Sequence, residues 1–320
     1  MRDEDYMKEA IRLARRGLGK TSPNPMVGAV IVRDGRVIGR GYHRRYGENH
    51  AEINAIRDAR EDVSGSTIYV NLEPCSHHGK TPPCLDAIIR HRFGRVVIGV
   101  LDPNPLVNGK SEAVLRQKGI EVRAGVLEEE CRRLNEAHFK YITTGLPLVT
   151  LKFAQSLDGR IATATGNSRW VSSEKFRRLA HRRRAASDAV MVGIDTVLAD
   201  DPQLTVRLAR GKNPVRVILD SRLRIPIEAG VITGVKAATI IATTSRGDAA
   251  RQARLGEMGI EVLVVPESAR GEVDLKSLLG RLGGKGISSV LVEGGGGVIT
   301  SFLRQGLADK MLVAVAPRII

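Results

Sequence analysis

Two short stretches, His50-Ala51-Glu52 and Pro74-Cys75-Ser76-His77-His78-Gly79-Lys80-Thr81-Pro82-Pro83-Cys84, constrain this chain more than any other feature, because their chemistry requires them to meet in space. One imidazole and two thiolates make a three-ligand zinc set, which leaves the fourth tetrahedral position for water, as a catalytic site requires and a structural one avoids. His50, Cys75 and Cys84 are the expected ligands. Glu52, two residues after His50 at the start of a helix, is placed to exchange protons with an activated water without binding metal itself.

Taken singly these signals are weak: His-Ala-Glu is a common tripeptide, and a lone cysteine is more often a small buried core residue than a ligand. Their order, with His50 and Cys75 25 positions apart, matches the pattern of zinc-dependent nucleobase deaminases, where a glutamate carries the proton to the departing ammonia. The usual signature has two residues between its cysteines, whereas eight separate Cys75 from Cys84 here.

At 320 residues the chain is long for one core, so two domains are expected. It contains no run of eighteen apolar residues, which excludes an ordinary membrane-spanning helix. Its start, Met1-Arg2-Asp3-Glu4-Asp5, lacks the basic-then-apolar order of a signal peptide, and a cytoplasmic protein without membrane partners is expected. With two of the three cysteines assigned to zinc and Cys131 expected on a solvated helix among Glu128, Glu129, Glu130, Arg132 and Arg133, no disulfide framework is expected either.

The net charge of +15 raises the question of nucleic acid. The charge is dispersed, with 24 Lys/Arg against 19 Asp/Glu through Gly145 and 26 against 16 afterwards. Aromatic residues make up only 3%, which leaves few platforms on which bases could stack. A phosphorylated small molecule accounts for the charge as well as nucleic acid does, and an arginine-rich surface accounts for it more simply.

Helical spacing of Met7, Ala10, Ile11, Ala14 and Leu18 predicts a core-facing helix over 3–18. Apolar strands flank the turn Asp34-Gly35, a hairpin signal, and Pro23-Asn24-Pro25 before it reads as a rigid loop. Helices are expected over 50–60, 84–91, 111–118 and 127–144, and strands over 67–71, 95–100 and 120–123. Cys75 and Cys84 both fall near expected helix starts, whose dipoles favour thiolate. This alternation implies an α/β domain, and Gly145-Leu146-Pro147 marks its end. A second α/β domain follows from 146 to 320, with strands at 148–153, 189–192, 215–219, 239–242, 261–265, 289–292 and 311–316. Its most chemical feature is Glu293-Gly294-Gly295-Gly296-Gly297 between a strand and a helix. Such a run lets backbone approach a phosphate at a helix start, although glycine runs also serve as plain turns, and this one lacks the spaced dinucleotide fingerprint.

With these residues assembled, the chain resembles the bifunctional riboflavin-biosynthesis deaminase/reductase family over nearly all its length. The resemblance rests on Asn24-Pro25-x-Val27-Gly28, His50-Ala51-Glu52 and the run from Leu72-Glu73-Pro74-Cys75 through Cys84. In the second half it rests on Leu151-Lys152-x-Ala154-x-Ser156-Leu157-Asp158-Gly159, Leu198-Ala199-Asp200-Asp201-Pro202-x-Leu204-Thr205-Val206-Arg207 and Val292-Glu293-Gly294-Gly295. It implies a cytidine-deaminase-like α/β/α domain followed by a dihydrofolate-reductase-like α/β domain. The first would use zinc to deaminate 2,5-diamino-6-(5-phosphoribosylamino)pyrimidin-4-one, and the second NADPH to reduce the ribosyl chain, giving 5-amino-6-(5-phosphoribitylamino)uracil.

By the same resemblance, Asn24, His77 and Lys80 contact the deaminase substrate. Ala154, Trp170, Thr196, Asp200, Ser221, Gly295, Gly296, Gly297, Val298, Ile299, Thr300 and Ser301 contact the cofactor, and Ser168, Arg184, Leu204, Arg207 and Glu293 contact the reductase substrate. Read without the family, Asn24 is a turn residue and Trp170 a core side chain, while Lys80, inside the eight-residue insert, suits a phosphate contact, with a solvated lysine as the plain alternative. Ser221 and Arg222 after the strand at 215–219 favour a 2′-phosphate, unless Asp220 points to the ribose and favours NADH. A homo-oligomer is expected. The chain departs from the family by stopping at Ile320, where relatives continue through a further strand and loop. A nucleic-acid base deaminase and a zinc-stabilised nucleotide-binding module are the alternatives. The long cysteine insert and second domain weigh against the former, and Glu52 against the latter.

Overall fold

The computed structural model describes residues 2–78, 82–163 and 173–320, which divide into two compact units, Met1–Gly145 and Leu146–Ile320. In the first unit, strands β1 (Gly28–Arg33), β2 (Arg36–Tyr42), β3 (Thr67–Leu72), β4 (Arg95–Val100) and β5 (Glu121–Arg123) form one sheet in the order β2-β1-β3-β4-β5. β1 runs antiparallel to both its neighbours, while β3, β4 and β5 are parallel. The hairpin turns at Asp34 and Gly35, both at positive φ (49° and 73°), the paired left-handed geometry that a two-residue turn between twisted strands requires.

Helices α1 (Asp3–Ala14), α2 (Ala51–Asp58), α3 (Cys84–Arg90), α4 (Lys110–Gln117), α5 (Glu128–Leu134) and α6 (Glu136–Thr144) complete this unit. Its central strands are buried on both faces, so they read as continuous apolar runs such as Val96, Val97 and Ile98. α2 lies against the backbone of β2, and a Cβ on Gly41 would stand only 2.1 Å from Ala51 O. That close approach fixes the start of α2, where His50 and Glu52 sit.

The structure departs from the sequence expectations at three places in this unit. The single helix expected over 127–144 is two helices broken at Asn135 (φ −109°), because the Asn135 side chain turns inward to bond distant backbone. Cys131 is fully buried, packed so tightly on β4 that a Cβ on Gly99 would stand 2.4 Å from its sulfur. The first helix ends at Ala14 and continues as a 3₁₀ turn over Arg15–Gly17, leaving Leu18 exposed.

The second unit is a seven-stranded sheet of β6 (Leu148–Ser156), β7 (Ala189–Gly193), β8 (Val215–Leu219), β9 (Thr239–Thr243), β10 (Glu261–Val264), β11 (Ser289–Val292) and β12 (Lys310–Ala316). Every pairing is parallel and the order is β10-β9-β8-β7-β11-β6-β12. Helices α7 (Glu174–Ala186), α8 (Ile194–Asp200), α9 (Gly230–Thr233), α10 (Ala249–Glu257), α11 (Leu275–Gly284) and α12 (Gly296–Arg304) join the strands. Alternate residues feed two cores: Ala189, Met191 and Val217 enter one, Val190, Val192 and Ile218 the other. The chain runs outward from β7 to β10 and then returns to insert β11 beside β7. In parallel sheets such a reversal opens a crevice beyond the carboxyl ends of the strands, here at Gly193 and Glu293. Among the described residues, no helix is long and apolar enough to cross a membrane.

Candidate active sites

The first site forms where the start of α2 meets the segment between β3 and α3. His50 is the extended residue just before α2 (φ −72°, ψ 168°), and Cys84 is the first residue of α3. Cys75 lies in the connecting segment rather than at a helix start, and its sulfur accepts the Cys84 N–H at 3.3 Å. His50 Nδ1 stands 3.5 Å from Cys75 Sγ and 3.3 Å from Cys84 Sγ. A tetrahedral zinc with ordinary bond lengths separates a nitrogen and a sulfur ligand by about 3.6 Å. The three ligand atoms all lie within 4.8 Å of one another, so the set fits zinc.

Electrostatics agree with that fit. Hydrogen bonding from Cys84, then from His50, pulls the Cys75 thiol down to about 4, and the same contact with burial pushes Cys84 well up. The hydrogen bond to Cys75 raises His50. One sulfur thus carries charge while its neighbour holds a proton, an arrangement that a dication relieves by taking both as thiolates.

Glu52 is the second residue of α2 and is buried, with Oε2 lacking a hydrogen-bond partner among the described residues. Burial raises its pKa, against the opposing pull of His50. It lines a cavity of about 440 Å³ together with Asn24, His43, His77, Asp102 and His138. Asn24 Nδ2 is 3.4 Å from His43 Nε2, and His43 Nδ1 is 3.1 Å from Asn49 O. His77 presents a buried Nδ1 without a partner among the described residues. Lys80 lies outside the described residues.

Glu73, in the motif before Cys75, ties this site to the wall carrying Asp102. Its carboxylate accepts the N–H groups of Asp102 (3.2 Å), Gly109 (2.9 Å) and Ser111 (3.0 Å), and Ser111 Oγ donates to Pro74 O at 2.6 Å. An anion is well placed there, because the start of α4 carries unpaired N–H groups and the positive end of its dipole.

The second site occupies the crevice beyond β7 and β11. Glu293 follows β11, and its carboxylate accepts Arg184 Nε (2.6 Å), Arg184 Nη2 (3.0 Å) and Lys152 Nζ (3.2 Å). Burial works to raise its pKa, but Lys152 and Arg184 outweigh burial and hold it at about 2. Arg184 Nη1 also donates to Thr205 O (3.0 Å), so each nitrogen of that guanidinium makes a bond. Among the described residues the Arg207 guanidinium donates only to neutral oxygens, Gln203 Oε1 (3.2 Å) and Thr205 Oγ1 (3.1 Å), while its backbone N–H donates to His181 Nδ1 (3.0 Å). Leu204, at φ 52°, turns its side chain into the core. Ser168 and Trp170 lie outside the described residues.

Beside this network, a cavity of about 430 Å³ is lined by Ser221, Arg222, Arg270, Gly297, Val298 and Ser301 among others. Gly295 caps α12 with Thr196 beside it, a Cβ there standing 3.7 Å from Thr196 Oγ1. Gly296 opens the helix, Thr300 is exposed on it, and Ile299 points into the core. Ala154 lies on β6 opposite Ala314, and Asp200 ends α8 exposed. Asp220 does not face this cavity: it is fully buried and accepts the Ile225 N–H at 2.8 Å. Sequence reasoning missed His43, Asp102 and His138, which come from separate elements with no spacing that would link them.

Comparison with known proteins is consistent across both units. Residues 1–100 match the family described as the cytidine and deoxycytidylate deaminase zinc-binding region, and residues 147–320 match the RibD C-terminal domain. The chain is 48% identical over 319 residues to the riboflavin biosynthesis protein RibD of Aquifex aeolicus, covering 99% of this chain and 88% of that relative. It is 41% identical over 334 residues to RibD of Escherichia coli (strain K12), covering 100% and 89%. Among solved structures it is similar to a Thermotoga maritima diaminohydroxyphosphoribosylaminopyrimidine deaminase/5-amino-6-(5-phosphoribosylamino)uracil reductase, with TM-score 0.87 and 42% identity over 99% of this chain and 87% of that one. Acinetobacter baumannii RibD gives TM-score 0.89 and 41% identity over the same shares.

Proposed function

The chain belongs to the bifunctional RibD family, in which a zinc-binding deaminase and a reductase of riboflavin biosynthesis share one polypeptide, and from that membership we propose its substrates, its hydride donor and the work of each site residue. The N-terminal unit removes the exocyclic amine of 2,5-diamino-6-(5-phosphoribosylamino)pyrimidin-4-one. The C-terminal unit reduces the ribosyl chain of the deaminated product with NADPH, yielding 5-amino-6-(5-phosphoribitylamino)uracil. The observation that carries this reading is a three-ligand site with a buried glutamate beside it, Glu52, whose Oε2 has no hydrogen-bond partner among the described residues.

His50, Cys75 and Cys84 would hold a zinc ion, which would supply Lewis-acid activation of water. Glu52 would take a proton from the attacking water and deliver it to the leaving amine, and its raised pKa suits a group that must hold a proton between the two transfers. Asn24, His77 and Lys80 hold the substrate. In the reductase, NADPH supplies the hydride. Glu293 fixes Arg184 and Lys152 in place, and Arg207, whose charge is bonded to no carboxylate among the described residues, holds the substrate phosphate.

A coupled assay with the diaminopyrimidine phosphate and NADPH tests the pair of reactions. Chelation should stop ammonia release yet leave NADPH oxidation intact when deaminated substrate is supplied, because the zinc ligands all lie in one unit and the Glu293 network in the other. Loss of both activities on chelation, with the fold retained, counts against separate sites.

Preference for NADPH is supported by arginines in the cofactor cavity. Of these, Arg224 is held by Asp195 at 2.7 Å and Arg246 donates to Gly271 O at 2.8 Å. Arg222 is exposed at the cavity wall and suits a 2′-phosphate. Asp220, turned into the core, is not positioned to grip a ribose diol. Ser221 Oγ accepts the Val273 N–H at 3.1 Å, so removing it would disturb the fold, and Arg222→Ala is the cleaner probe. A charge-assisted contact of roughly 1.5–3 kcal/mol predicts a rise of about ten- to a hundredfold in the Michaelis constant for NADPH with little change for NADH. Equal losses for both cofactors would place phosphate selection elsewhere.

A further inference from the structure

The segment Pro23-Asn24-Pro25-Met26 carries Asn24 into the deaminase cavity without belonging to any helix or strand. Side chains from distant parts of the chain hold it. On the near side of Asn24, His138 Nδ1 lies 3.1 Å from Pro23 O. A carbonyl only accepts, so Nδ1 bears the proton and the imidazole is the donor. On the far side, Asn135 Oδ1 accepts the Met26 N–H at 2.8 Å and Asn135 Nδ2 donates to Met26 O at 2.9 Å. Asn71 Nδ2 donates to the same oxygen at 3.1 Å, and its Oδ1 accepts the Gly28 N–H at 2.7 Å. Asn71 and Asn135 are both buried.

Two of these three side chains come from the break between α5 and α6. Asn135 sits at the break itself, and His138 follows within the first turn of α6. We propose that this helix break seats the Asn24 segment, and that His138 and Asn135 are positioning residues for deamination, acting through Asn24. The inference rests on the reading that Asn24 contacts the deaminase substrate. Groups that orient a binding residue through its backbone control its placement, and misplacement by about 1 Å can cost on the order of a hundredfold. His138 also lines the cavity, with Nε2 4.0 Å from Asp102 Oδ1, so a role through Asn24 must be separated from a direct one.

A double-mutant cycle makes that separation. In the full-length zinc enzyme, His138→Leu removes the donor and His138→Asn keeps an amide N–H near the position of Nδ1. We expect His138→Leu to raise the Michaelis constant of deamination about ten- to a hundredfold, with kcat changed much less and with zinc content and reductase kcat/KM unchanged. His138→Asn should recover most of the loss. In an Asn24→Ala background, His138→Leu should add less than about twofold, the mark of coupled rather than independent sites. Losses that multiply in the double variant overturn the inference while leaving Asn24 a substrate residue. Wild-type deamination by Asn24→Ala overturns the reading of Asn24 and the inference with it. If His138→Leu fails to retain zinc, His138→Asn decides: near-normal KM with bound zinc supports positioning, and a KM raised about tenfold or more overturns it.

Discussion

Glu52→Gln is expected to bind zinc as the unaltered protein does and to lose deamination by about 10²–10⁴-fold, while reduction of supplied deaminated substrate continues unchanged. The amide keeps the shape of a side chain that is 3% exposed, so packing against the start of α2 survives. What disappears is the ability to take a proton and return it. Burial raises the Glu52 pKa, and Oε2, which has no hydrogen-bond partner among the described residues, is available for that exchange. Metal content measured beside ammonia release separates the two effects. Ammonia release at the wild-type rate would remove Glu52 from the mechanism.

The second large effect belongs to Glu293. Replacing it by Gln leaves Lys152 and Arg184 facing each other without their shared anion, in a crevice where the Glu293 side chain is 6% exposed. Breaking a buried pair by removing one partner typically costs roughly 3–5 kcal/mol. The carboxyl is held at about 2 against an ordinary value of 4.5, which corresponds to about 3 kcal/mol of stabilisation. Because the folded-state pKa is depressed, that contribution is fully present above pH 4.5 and is lost as the pH falls toward 2. Glu293→Gln should therefore abolish reduction, lower the unfolding temperature of the C-terminal unit at neutral pH, and flatten the acid dependence of its stability between those limits. Deamination should persist. A variant with unchanged thermal stability and the same acid profile would show that the network is not holding the crevice.

The sites differed in how far the sequence disclosed them, and the reason is locality. His50, Glu52, Cys75 and Cys84 stand in two compact motifs whose spacing carries their chemistry, and the structure brings the three ligand atoms within reach of one metal. The strands of both sheets were legible because buried parallel strands are short apolar runs between turn residues. The break at Asn135 was not, because the residues on either side keep helical periodicity and the cause is a tertiary bond to Met26, more than a hundred positions away. Cys131 looked solvated because charged residues surround it in sequence, yet its own side of α5 faces β4. Asp220 was ambiguous for the same reason: a strand end does not reveal which way a carboxylate turns until the Ile225 N–H is seen to meet it.

The strand order of the second sheet also bears on how the protein emerges during synthesis. β6 opens its unit, yet both its neighbours, β11 and β12, are made only after β7, β8, β9 and β10. Until translation passes residue 289, β6 has neither partner, and both its edges remain unpaired. Parallel pairings between such distant segments form slowly, since closing a long loop precedes any gain from the contact. The first sheet has no such delay, because its hairpin partners are adjacent in the chain and its last strand ends at Arg123. A nascent chain therefore has every residue of the metal-binding fold available while an open apolar strand still waits downstream, and that waiting strand is where aggregation or chaperone capture would begin.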